Sequence, residues 1–185
     1  MLLGVAAAVY AFERREIIRQ TWGTYAESEN VKVPFSVWTY SLDLFLKLLF
    51  FVGDNQDPNT QEKLEVEAAE NHDIIQENYI ESYWNLTRKT IGQIKWKQEF
   101  CDSAKYIAHL DDDVFIDVPN VLEQLRADTR PAWVSCMVQM GKAPVSNKSS
   151  WLELISLLRS DEQANMPWLK KNFLAKITPL LVRLV

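Results

Sequence analysis

An α/β fold, a mostly parallel sheet flanked by helices, is the class this sequence predicts, and three observations predict it. Short apolar runs, LLGVAAAV at 2–9, LLFFV at 48–52 and YIAHL at 106–110, read as buried strands. Between them lie segments of helical spacing or helix-forming composition, and the alternation continues to about residue 140. The 185 residues are 48% apolar and 24% charged, which suits one globular domain and excludes a disordered chain.

The first run, Met1 to Val9, reads as a buried strand ending near Tyr10, with a signal remnant as the other reading; it is too short to span a bilayer. The next segment, AFERREIIRQTWGTYAES, places Ile17, Ile18, Thr21 and Trp22 on one helical face and ends at Gly23. Arg14, Arg15 and Arg19 lie on its first turns. Guanidiniums beside a helix start suit a phosphate; the same arginines also suit surface pairing with Glu13 and Glu16. Val33 to Tyr40 reads as a strand, with Pro34 at its edge or start. Residues 42–47 hold a short helix before the LLFFV strand.

DNQDPN at 54–59 is a loop by composition, and Gln61 to Asn71 is a helix with Leu64 and Ala68 inward and its glutamates in water. Asp73 to Gln76 makes a short strand, and Tyr79 to Trp84 an aromatic connection. Asn85 to Phe100 is the longest helix, capped by Asn85 or Thr87, with Leu86, Ile91 and Ile94 on its apolar side. Gly92 inside it costs about 1 kcal/mol against Ala, which is either tolerated or has a packing reason. Asn85-Leu-Thr and Asn147-Lys-Ser are N-glycosylation triplets. After the strand Tyr106 to Leu110, a helix from Pro119 to Arg126 and a strand from Trp133 to Met140 complete the alternation.

The composition narrows the chemistry. With 25 acidic and 20 basic residues the net charge is -5, so nothing attracts nucleic acid or an anionic membrane in bulk. An anionic ligand has to be met locally, by basic side chains or a metal. Cys101 and Cys136 exclude a disulfide-dense scaffold and a four-cysteine zinc site; a bridge and two free thiols both fit. His72 and His109 form no histidine cluster.

The sharpest feature is KYIAHLDDDVFID, a buried strand ending in Asp111, Asp112 and Asp113. Side chains at i and i+2 of a strand share a face, so Asp111 and Asp113 are expected to point together while Asp112 points away. Carboxylates held together call for a cation, and oxygen ligands suit Mg²⁺ or Mn²⁺ bound also to phosphates. The alternative is a solvated turn or a cap for the following helix. In an α/β sheet, ligands collect at the carboxyl ends of strands, where these aspartates and the arginine-bearing segment both fall.

Four blocks, FERREIIRQTWG (12–23), FVGD (51–54), HDIIQENYIESYWNLTRKT (72–90) and AHLDDDVFID (108–117), resemble the Golgi β-1,3-glycosyltransferase family of β-1,3-galactosyltransferases and β-1,3-N-acetylglucosaminyltransferases. WVSCMV (133–138) and PVSNKSSW (144–151) match more loosely. The resemblance implies a GT-A type nucleotide-sugar fold and inverting transfer of galactose or N-acetylglucosamine from a UDP-sugar to a glycan acceptor, in β-1,3 linkage. It implies Mn²⁺ (or Mg²⁺) at Asp111 and Asp113, with Arg15, Arg19, Lys89, Asp111 and Asp112 toward the donor, and a Golgi membrane protein facing the lumen. The chain also departs from the family. Residues 1–151 read as a donor-binding portion and 152–185 as a divergent helical tail, truncated or altered, without the acceptor-side half and its acidic base segment. No catalytic base is nominated. An inactive, nucleotide-sugar-binding relative and an unrelated α/β metal-dependent phosphohydrolase are the alternatives.

Overall fold

A computed structural model describes residues 1–27, 31–32, 41–42, 46–127, 133–136 and 180–183. In chain order its elements are β1 (Leu2–Ala6), α1 (Phe12–Gln20), α2 (Thr24–Glu27), β2 (Val31–Lys32), β3 (Ser41–Leu42), β4 (Lys47–Asp54), α3 (Pro58–Asn71) and β5 (Ile74–Ile80). A 3₁₀ turn (Tyr83–Asn85), α4 (Leu86–Phe100), β6 (Tyr106–Asp111), α5 (Val118–Ala127), β7 (Trp133–Cys136) and β8 (Leu180–Arg183) follow.

The main sheet runs β5-β4-β1-β6-β8-β7, and its first four strands are parallel. The expected α/β class with a parallel sheet is therefore what the chain forms. Every residue of β1 is buried, because a strand at the centre of a parallel sheet is covered on both faces. One face carries Leu3, Val5, Phe50 and Leu110, which share a core with Ile18 of α1, Leu64 of α3, and Leu122 and Leu125 of α5. On the other, α4 contacts β1, β4 and β6, and Trp96 meets Phe51 edge-on at 6.3 Å between centroids. Each buried Leu or Phe of these layers contributes about 1.5–3 kcal/mol.

The boundaries moved where caps and turns decide them. β1 stops at Ala6: the Ala7 N–H still donates to the Phe51 carbonyl at 3.1 Å, but from Ala7 on the carbonyls accept from side chains instead of a neighbouring strand. Asp57 accepts from the Thr60 N–H and Pro58 opens the helix, so α3 starts three residues before Gln61. β5 runs to Ile80, further than the expected Gln76. On α1 the buried face is Arg15 and Ile18, with Trp22 just beyond; Ile17 is 59% exposed. On α4 it is Lys89, Gln93, Ile94 and Lys97, a largely polar stripe. Gly92 does have a packing reason: a Cβ there would run into the Glu77 carboxylate of β5. Within the segment read as a helical tail, Leu180–Arg183 is a strand, antiparallel to both β6 and β7. Of the short helix expected at 42–47, Leu42 belongs instead to strand β3 and Lys47 to strand β4, and 43–45 lie outside the described residues, as do the expected strand over 33–40, residues 137–140, Asn147, residues 152–179 and 184–185.

Candidate functional site

Along the sheet, β4 and β5 step away from β1 on one side while β6 lies on the other. The reversal puts a crevice outside the carboxyl ends of β1 and β6, the usual ligand position in such sheets. A cleft of about 660 Å³ opens there. The segment after β1 supplies Ala8, Tyr10 and Arg14, the end of β6 supplies Asp111, Asp112 and Asp113, and Glu81 and Lys89 enter from the β5–α4 side.

All three aspartates line the cleft, contrary to the expected alternation. The reason is local: β6 ends at Asp111, whose carbonyl accepts from the Val114 N–H at 3.3 Å, so the next two residues turn rather than continue the pleat. Asp111 is opposite Ala6 in the register. Burial raises its carboxyl above the ordinary range, and the neighbouring Asp113 and Asp112 charges push the same way. Asp112 accepts from Arg14 Nη1 at 2.8 Å and sits 3.4 Å from the Ala8 N–H. That hydrogen bond raises the Arg14 pKa, although the guanidinium stays 58% exposed at the rim. Asp113 is exposed.

Lys89 comes to the cleft floor, 2% exposed. Its ammonium donates to the Ala7 carbonyl at 2.7 Å and to both Glu81 oxygens at 2.8 and 3.0 Å. Glu81 also accepts from the Gly53 N–H at 2.8 Å, so the pair ties together the ends of β1, β4 and β5. One turn further along α4, Gln93 meets His109 Nδ1 at 2.8 Å, and Gly4 leaves the space Gln93 occupies. Burial first, and the Lys89 charge second, hold the His109 pKa down to about 4.

Arg15 and Arg19 are placed elsewhere. Arg15 is fully buried, bonded through Nε and Nη2 to Glu67 at 2.9 and 2.6 Å, and to the carbonyls of Ala8 and Val9 at 2.7 and 3.1 Å. Arg19 grips Asp73 at 2.7 and 2.9 Å and Glu67 at 2.8 Å. Glu67, expected on a wet helix face, is therefore the half-buried hub of two arginines, which outweigh its desolvation and leave its pKa lowered. Asn85 donates its amide to the Ile80 carbonyl at 2.7 Å, and the thiol of Cys101 is free. Glu81 and Tyr10 were not singled out from the sequence as ligand-facing. Arg14 was grouped with Arg15 and Arg19 as suited to a phosphate, and of the three it alone lines the cleft, in keeping with its helical offset from the Arg15–Ile18–Trp22 stripe.

Among the described residues no group of three or more His, Cys, Asp or Glu side chains converges as a metal cage, and no helix is long and apolar enough to cross a membrane. The three aspartates share the cleft without converging as such a cage; their carboxylate oxygens are the donor type that Mg²⁺ or Mn²⁺ takes.

The profile of the family described as Galactosyltransferase matches residues 13–167. The chain is 34% identical over 160 residues to a Lactosylceramide 1,3-N-acetyl-beta-D-glucosaminyltransferase B of Danio rerio, covering 81% of this chain and 38% of that protein. It is 35% identical over 121 residues to Beta-1,3-galactosyltransferase 1 of Homo sapiens, covering 65% and 33%. A Lactosylceramide 1,3-N-acetyl-beta-D-glucosaminyltransferase of Mus musculus is 34% identical over 159 residues, at 81% and 39%. The chain spans between a third and two fifths of the length of these relatives.

Proposed function

Because the chain belongs to the galactosyltransferase family, we propose that its cleft binds the nucleotide diphosphate of a UDP-sugar, as the donor side of a hexosyltransferase. The single observation that carries the reading is the placement of Asp111, Asp112 and Asp113 in one cleft at the topological reversal of the sheet. The transferred sugar is galactose or N-acetylglucosamine, passed with inversion to a glycan hydroxyl in β-1,3 linkage. The names of the relatives support that choice. Golgi residence on the luminal side, and glycans on Asn85 and Asn147, belong to the same reading; at Asn85 the amide would have to share its bond to Ile80.

Asp111 and Asp113 would hold Mn²⁺ or Mg²⁺ against the diphosphate. When bound, that ion offsets the charge that develops on the departing diphosphate. The protein's own part is placement. Arg14 holds Asp112 to one side of the triplet, leaving the carboxylates of Asp111 and Asp113 for the cation. Lys89 adds positive charge beneath the cleft. Arg15 and Arg19 serve the donor at one remove, through the framework described above.

A second reading, donor binding without transfer, is favoured by one observation. Of the two glutamates that line the cleft outside the triplet, Glu81 is already held by Lys89 and the Gly53 N–H, which denies it the role of base toward an acceptor hydroxyl, and leaves only Glu13, exposed at the rim.

The test is calorimetric titration of the full chain with UDP in the presence of Mn²⁺, followed by a transfer assay with UDP-galactose and UDP-N-acetylglucosamine. Binding that requires Mn²⁺ and disappears in Asp113→Ala, with thermal stability unchanged, is the expected result. Equal binding by the variant would refute the metal assignment. Transfer separates the first reading from the second.

A further inference from the structure

Three consecutive carbonyls follow β1, and two buried cations from different helices take them between them. Lys89 of α4 donates to Ala7 at 2.7 Å; Arg15 of α1 donates to Ala8 at 2.7 Å and to Val9 at 3.1 Å. Both cations are themselves fixed by carboxylates. Glu81 holds Lys89, and Glu67 of α3 holds Arg15. The second chain goes on: Glu67 also takes Arg19 at 2.8 Å, and Arg19 takes Asp73 at 2.7 Å, just before β5. The 7–9 segment is the piece of backbone that delivers Ala8, Tyr10 and Arg14 to the cleft and sets the Ala8 N–H against Asp112.

We propose that Arg15 and Lys89 are positioning residues that fix the backbone of residues 7–9 by its carbonyl oxygens, and that Glu67, which does not line the cleft, sets donor affinity through Arg15. The proposal rests on the UDP-binding reading of the cleft and deepens it. Four points make a positioning role more economical than direct phosphate contact by Arg15. The guanidinium is fully buried, it faces two carbonyls and a carboxylate, it stacks at 4.8 Å on the Phe12 ring, and it is not among the residues lining the cleft. A guanidinium's fork donates in several fixed directions in its plane, which is what bridging two successive carbonyls and a carboxylate requires. A backbone held this way is pre-ordered for a ligand; released, it has to be ordered at the expense of binding.

The experiment compares wild type with Glu67→Gln, and with Glu70→Gln as a control on the exposed side of α3, on the full chain at a temperature where all remain folded. UDP affinity in Mn²⁺ is read by calorimetry, and amide hydrogen exchange is read at residues 7–11. Glu67→Gln is expected to weaken UDP about three- to tenfold, inside the range of coupling through packed networks, and to speed exchange at 7–11. Glu70→Gln should do neither. A role in stability alone would lower the melting temperature and leave the affinity of the folded protein unchanged, and that result overturns the proposal. If Glu67→Gln does not fold, Asp73→Asn, the next carboxylate in the network, reached through Arg19, carries the same expectation with a smaller change. If wild type fails to bind UDP, the donor reading falls by itself; unaltered exchange at 7–11 in the variant then overturns the pinning separately.

Discussion

Replacing Lys89 by Met retains much of the side-chain volume and deletes the ammonium that holds the cleft floor together. Lys89 is 2% exposed, the Glu81 side chain 9%, and three contacts of 2.7 to 3.0 Å end on the nitrogen. Without it the Ala7 carbonyl loses its side-chain donor, and Glu81 keeps a charge with only the Gly53 N–H against it. Breaking a buried pair from one side costs about 3–5 kcal/mol. Glu81 borders an open cleft and can take up water there, which places the loss near the lower end, about 3 kcal/mol. That is a large share of the roughly 5–15 kcal/mol that holds a domain of this kind folded. In urea, with a slope of about 1–3 kcal/mol per molar, the midpoint should drop by about 1–3 M with the slope unchanged. Tryptophan fluorescence follows the transition. The double variant Lys89→Met/Glu81→Gln removes the orphaned charge as well and should regain at least half of the loss. A loss below about 1 kcal/mol, or a double variant no better than the single one, would show that the pair is not the tie described here.

Two further outcomes follow from the same face of α4. Because burial holds His109 near pKa 4 while the unfolded imidazole titrates near 6.5, the unfolded chain binds the extra proton between those values. Stability from this group is therefore complete above about pH 6.5 and declines as the pH falls toward 4. Urea unfolding across pH 4–7 should be steeper in pH for wild type than for His109→Gln, and an NMR titration of His109 centred near 6.5 would contradict the burial argument. Gly92→Ala should destabilise the fold even though Ala favours a helix by about 1 kcal/mol, since the added methyl meets the Glu77 carboxylate. A stabilised Gly92→Ala would mean that Glu77 moves aside freely; thermal unfolding decides.

Part of this was legible before any coordinates. The apolar run 2–6 reads as a buried strand and is one, whereas the Asp-Pro pair at 57–58, read as loop, is the cap and first residue of α3. The arginines show why reading stopped short. Arg15, Ile18 and Trp22 fall at i, i+3 and i+7, a core-facing stripe, so their spacing already marked Arg15 for burial and left Arg14 outside. Spacing could not supply its partner: Glu67 is 52 residues away on α3 and looks, in sequence, like any other acid on a solvated helix. The polar stripe Lys89–Gln93–Lys97 was hidden likewise, because polar residues four apart read as a wet face until Glu81, His109 and the Ala7 carbonyl are brought opposite them.

By itself the sequence determined the fold class, the central strand and the aspartate triplet at a strand end, because each depends on neighbours within a few residues. Only the tertiary structure decided which cations face the cleft and which brace it, that the triplet turns inward as a group, and that residues 180–183 join the sheet. Those outcomes depend on charges and carbonyls tens of residues apart, and a buried charge takes its role from whatever the fold places within 3 Å of it.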